Sequence, residues 1–164
     1  MPMRRIGLFF ILGWLMAGCE SKPSSTGALA QPKPGQILYQ EQCASCHGWN
    51  GDGVAGQHPP LVKNDWVTSS PGRLIRIMLH GVRGERKIAG ETYNGTMQSF
   101  RQLHDEEIAD VLNYIRTSWG NQGAAITGDD VKLLRLFTAE RQEPWTAEEL
   151  QQPLNRSIPG MAGW

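Results

Sequence analysis

Cys43-Ala44-Ser45-Cys46-His47 places two thiols two residues apart, with an imidazole directly after the second. On a helix these thiols lie about one turn apart. That spacing suits addition to the two vinyl groups of a single haem, with the next side chain turned toward the iron. It is the c-type haem attachment signature. In this reading Cys43 and Cys46 are covalent tethers, His47 is the first axial ligand, and the cofactor is one haem c. Two rivals carry the same spacing. A redox dithiol of thioredoxin type calls for a preceding strand and a Trp-Cys-Gly-Pro-like interior, and neither is present. Half of a zinc site calls for a second ligand pair, and the remaining cysteine is Cys19.

The third cysteine falls in a different context. Arg4 and Arg5 precede an apolar run, Ile6 to Leu15, which is too short for a span of about 20 residues. Residues 1–18 therefore read as a signal peptide. Leu15-Met16-Ala17-Gly18-Cys19 resembles a bacterial lipobox, with Met16 where leucine is usual. The resemblance implies cleavage before Cys19 and lipid on its sulfur and new amino group. An ordinary signal peptide and an uncleaved anchor are the alternatives. Several acyl chains give durable anchoring, whereas one does not. Export fits the haem, because covalent attachment takes place outside the cytoplasm in bacteria. The expected location is thus the periplasm, anchored to the membrane. Residues 19–34 read as a flexible linker, rich in Ser, Pro and small side chains. Its root-mean-square reach is roughly 20 Å.

Sixteen basic and sixteen acidic side chains cancel, which argues against nucleic-acid binding, where a basic stripe is expected. A 164-residue chain suits one domain with an extension. A haem would add an apolar body to a core that small size otherwise limits.

Residues 35–120 carry the densest signals. Gly35 to Cys43 reads as a first helix, followed by a glycine-rich loop, Gly48 to Gly56. That loop lacks the Gly-Lys-Ser/Thr ending of a phosphate loop. Ser70-Pro71 opens a second helix with an N-cap and a proline at its first position, and His80-Gly81 closes it. Asp105 is a candidate N-cap for a third, with Ile108, Val111, Leu112 and Ile115 at helical spacing. Val82 to Ser99 reads as polar and turn-rich, with Asn94-Gly95 as a turn pair. Met97 follows it, and a thioether is a soft iron ligand that raises the reduction potential in a His/Met pair. Met78 reads as core, Met161 lies in the tail, His58 reads as a loop surface residue and His80 as structural.

These segments together resemble class I cytochromes c. The attachment motif, His58-Pro59-Pro60-Leu61, the Tyr93-Asn94-Gly95-Thr96-Met97 loop and the helix ending at Trp119 carry the resemblance. It implies an all-α fold, three main helices around one covalent haem, with a helical C-terminal extension over residues 121–164. It implies that Met97 is the second axial ligand, and that the carbonyl of Pro59 or Pro60 accepts a hydrogen bond from His47. Gln98 stands where the family usually has proline. The resemblance further implies that Gly35 and Tyr39 meet Val111 and Tyr114 where the first and last helices cross.

Beyond residue 120, Thr127 or Asp129 opens a further helix, and Thr146 with Glu149 forms a capping box preceded by Trp145. The extension either packs back or docks a partner, and its apolar content favours packing. This region and the loop with Met97 resemble cytochrome c subunits or domains that accompany periplasmic dehydrogenases and copper nitrite reductases. The implied activity is single-electron transfer between a dehydrogenase or respiratory-chain donor and a terminal acceptor, without catalysis. The partners would be a dehydrogenase, oxidase or reductase. A subunit fixed in a larger complex, or a haem enzyme or gas sensor with an open iron position, are the competing classes.

Overall fold

The computed structural model describes residues 31–152. The expectations for the leader, for Cys19, for the linker up to residue 30 and for Met161 lie outside the described residues.

Helix α1, Pro34–Gln42, starts on a proline after the extended Lys33. At Cys43 the backbone departs from the helix, and α2, Ala44–His47, resumes it at once. The two remain joined, because Cys43 N donates to Tyr39 O at 2.9 Å and His47 N to Cys43 O at 2.9 Å. The attachment motif is thus the last turn of an interrupted helix. Its short α3, Asp65–Thr68, is capped by the Asn64 side chain accepting from Trp66 N at 2.8 Å. Helix α4, Pro71–His80, is capped by Ser70 and buries nearly its whole length. Helix α5, Asp105–Thr117, is preceded by His104 rather than capped by Asp105. The His104 N–H donates to Glu107 Oε2 at 2.8 Å. Asp105 instead holds Arg135 at 2.8 Å.

Helices α1 and α5 cross as the sequence reading implied. A Cβ at Gly35 would overlap the Asp110 carbonyl and the Val111 nitrogen, so only glycine allows this approach. Beside it, Tyr39 meets Tyr114 at 5.4 Å and Trp119 at 5.1 Å between ring centroids. Such offset and edge-on aromatic pairs add to the area they bury.

The all-α expectation needs correction: the chain is mostly helical but carries a small sheet. Strand β1, Val82–Ile88, pairs antiparallel with β2, Glu91–Met97, and parallel with a two-residue β3, Trp145–Thr146. The strand order is β2-β1-β3. Asn94-Gly95 is not a turn; the two residues sit inside β2, opposite Glu85 and Gly84. The turn is at Ala89-Gly90, both with positive φ, as a two-residue type I′ hairpin requires. Polar side chains hid the strands because both lie largely in solvent, with only Val82, Arg86, Ile88 and Tyr93 buried.

The described part of the extension, residues 121–152, packs back on the rest. Helix α6, Gly128–Phe137, is capped by Thr127 and buries Val131 and Leu134 against the core. Helix α7, Ala147–Gln151, is capped by Thr146 and buries Leu150 with Ile77 and Val82. Arg116, fully buried, donates to the carbonyls of Val67, Thr68 and Ala124 and so ties α5 to α3 and to the segment leading to α6. No helix among the described residues is long and apolar enough to cross a membrane.

Candidate haem site

The interrupted helix, the loop after it, α4, the hairpin and α5 surround one apolar cavity. Cys43, His47, Pro59, Leu61, Met78 and Met97 are among its walls, with Leu112 and Ile115 from α5. A second, more polar compartment shares Cys43, His47, Pro59, Arg86 and Met97 with it and adds Cys46 and His58.

The loop after His47 folds back on the histidine. Gly53, at φ 68°, donates from its N–H to His47 O at 2.8 Å, and a Cβ there would overlap His58 O and the Pro59 carbonyl. This return brings Pro59 O within 2.9 Å of His47 Nδ1. A carbonyl only accepts, so Nδ1 carries the hydrogen and the lone pair of the neutral ring is at Nε2. Burial holds the His47 pKa below its ordinary value, partly opposed by the Pro59 bond. The neutral ring is therefore the form present at neutral pH. Pro60 does something else: its carbonyl accepts from Asn64 Nδ2 at 2.7 Å, fixing the cap of α3.

The two cysteines differ. Cys43 is buried in the cavity wall and Cys46 is exposed, and both thiols are free of disulfides. Burial, with Cys46 adding to it, pushes the Cys43 thiol up to about 11. A dithiol oxidoreductase needs a depressed thiol, so this environment disfavours the thioredoxin reading. Among the described residues no three His, Cys, Asp or Glu side chains come together at metal-binding distance.

Met97 comes to the cavity as the last residue of β2, paired with Val82 at the start of β1. The chain beyond it is fastened to the end of α4: Ser99 Oγ donates to Leu79 O at 2.8 Å and Phe100 N to Met78 O at 2.7 Å. These bonds position the segment that lacks the family's proline at Gln98. His80 lies elsewhere, its Nε2 donating to Thr138 Oγ1 at 2.7 Å, and Met78 belongs to the core as well as the cavity wall. His58 is half-buried, its ring centroid 6.4 Å from that of His47, so it walls the second compartment rather than standing free on the surface.

A polar side chain that sequence reading missed also reaches the cavity. Arg86 is buried and walls both compartments. The signal was available in period two: Val82, Gly84, Arg86 and Ile88 share one face of a strand. Trp66, on α3, is a further wall residue without an earlier assignment.

The cytochrome c family model matches residues 32–119. The chain belongs to the cytochrome c family. It is 42% identical over 127 residues to cytochrome c-552 of Thermus thermophilus, covering 75% of this chain and 80% of the relative. It is 36% identical over 119 residues to the cytochrome c subunit of the alcohol dehydrogenase (quinone) of Gluconacetobacter polyoxogenes, covering 69% of this chain but 25% of that subunit. It is also 35% identical over 108 residues to subunit FixP of the cbb3-type cytochrome c oxidase of Bradyrhizobium diazoefficiens, covering 64% of this chain and 36% of the relative. Its cofactor is one covalent haem c, and its activity is electron transfer. The residues suit that group: an apolar cavity for the macrocycle, free thiols at the attachment spacing, and a buried neutral imidazole with its Nε2 lone pair unspent.

Proposed function

We propose that this cytochrome is a tethered one-electron carrier working in the periplasm, between a dehydrogenase or respiratory-chain donor and a terminal acceptor. Residues 1–18 form the leader, 19–34 the linker from a lipidated Cys19, 35–120 the cytochrome domain and 121–164 the extension. Within the domain α1, α4 and α5 are the three principal helices around the haem. Cys43 and Cys46 would hold it through thioethers, His47 Nε2 and the Met97 sulfur would ligate its iron, and the Pro59 carbonyl orients His47. The observation that supports this most is that Met97 walls the same apolar cavity as Cys43 and a His47 whose other nitrogen is committed to Pro59.

Bound haem c supplies the ferrous–ferric couple. The chain's part is to hold, orient and dry the group. The Pro59 bond fixes the ring plane of His47 and raises its basicity. A thioether opposite favours the reduced state. With His47 and Met97 both committed to the group there would be no open position for substrate, so the chain would act as a carrier and not as an enzyme.

A second reading is a subunit fixed in a larger oxidoreductase. It draws on the likeness to a cytochrome c subunit of a dehydrogenase and to an oxidase subunit. Export of the full chain in a bacterium with haem-attachment machinery tests the proposal. The expected mature mass is that of residues 19–164 plus one haem and the acyl groups, with the ferrous form nearly inert to carbon monoxide. Avid carbon monoxide binding would refute the carrier reading in favour of an open-site enzyme or sensor. A mass without acyl groups would refute the anchor alone. Co-purification of a stoichiometric partner from solubilised membranes would favour the fixed subunit over the free shuttle.

A further inference from the structure

Arg86 is 5% exposed and is the one lysine or arginine among the described residues that wall either cavity compartment. Neither compartment has an aspartate or glutamate in its walls. No carboxylate among the described residues lies within ion-pair distance of the guanidinium. Its Nη1 donates to the carbonyls of Gly84 at 2.6 Å and Gly95 at 3.0 Å. Those two bonds anchor the side chain across the hairpin, from its own strand to β2. They leave Nε and Nη2 without an acceptor among the described residues. Burial lowers the Arg86 pKa, but a guanidinium stays charged at any pH the fold meets. A buried cation without a counter-charge is costly. An isoleucine or valine would suit this face of β1, between Val82 and Ile88, far better.

An anion carried by the occupant of the cavity would supply the missing partner. We propose that Arg86 is the receptor for a carboxylate of the bound haem: Nε and Nη2 form the fork that grips one propionate. This deepens the haem reading above and rests on it. The pairing is charge-assisted, and a planar guanidinium fits a carboxylate in two parallel bonds. It has two consequences for the chain. The hairpin that carries Met97 at its end becomes fastened to the cofactor at a second point, through Arg86. The buried cation also disfavours the additional positive charge of ferric iron, so Arg86 raises the reduction potential.

The test uses the haem-loaded protein with Arg86→Gln and Arg86→Lys. In Arg86→Gln the reduction potential falls, and the propionate bending band in the resonance Raman spectrum shifts. Arg86→Lys recovers most of the potential, because the charge returns, but its band stays shifted, because an ammonium cannot reproduce the fork. An unshifted band in Arg86→Gln overturns the pairing even where the potential falls, since a cation acting through space alone gives that result. If Arg86→Gln does not accumulate, the Arg86→Lys band decides, and a band identical to wild type overturns the fork. Failure of the wild-type chain to acquire covalent haem would refute the underlying haem reading instead, and mass measurement separates that outcome from the others.

Discussion

The two walls of the haem cavity are built by different means. On one side α1, α2 and α5 form a wall of close backbone contact and interlocked rings: Gly35 against Asp110 and Val111, Tyr39 against Tyr114 and Trp119. On the other side a two-stranded hairpin, mostly exposed, delivers Met97 and Arg86. Its position depends on hydrogen bonds from Ser99 and Phe100 to the end of α4 and on the short β3 of the extension. The difference separates two tasks. The helical wall carries the attachment motif and resists change, while the hairpin wall, which in the proposed ligation would set what the iron meets on its second face, has less packing behind it.

The helical wall is the more sensitive to substitution. Gly35→Val forces a side chain into the Asp110 carbonyl, and we expect a loss of about 3 kcal/mol, the upper end for overpacking. The urea unfolding midpoint of the haem-loaded protein measures it, and a loss below about 1 kcal/mol would mean that the crossing is not tight. Met97→Ala acts on the other wall. It should cost about 2 kcal/mol, since the side chain is half-buried rather than core, and the ferrous form should gain carbon monoxide binding while the haem stays attached. A variant that loses covalent haem would show that the two walls are not independent.

Ser99→Ala sharpens the contrast further. It removes the hydroxyl bond to Leu79 O, worth about 1 kcal/mol. Its clearer effect should be faster imidazole binding to the ferric protein, as the segment after Met97 loosens. The smallest effect is one of pH. Burial lowers the His80 pKa below its ordinary 6.5. Below about 6.5 the unfolded chain then binds a proton that the folded one refuses, so stability falls as the pH drops through that value and levels off below the folded pKa. His80→Gln should flatten this slope in chemical denaturation between pH 7 and 5. An unchanged slope would assign it to other groups.

The same two walls differ in how far they could be read from residues alone. The helical wall was legible because its elements carry local signals: the helical run Gly35 to Cys43 and the i, i+3, i+4 spacing of Ile108 to Ile115. The attachment motif is a local pattern too, since both thiols and the imidazole sit within five residues. The hairpin was hidden because its buried face is sparse and includes an arginine, so alternation is weak over Val82–Ile88 and Glu91–Met97. Its turn, Ala89-Gly90, lacks the Asn-Gly signal, which occurs instead in the middle of β2, where pairing with β1 overrides it. The choice between Pro59 and Pro60 depended on how the loop returns through Gly53, a matter of long-range geometry. Arg86 escaped notice for the same reason: it gains meaning only once the cavity is closed around it.

The claim that joins the two walls is that His47 and Met97 ligate one iron from opposite sides. The near-infrared sulfur-to-iron absorption of the ferric protein tests it directly, in wild type, Met97→Ala and Met78→Ala. The band is expected in wild type and in Met78→Ala, and is lost in Met97→Ala. A wild-type spectrum without the band, or a band that survives Met97→Ala, would contradict it.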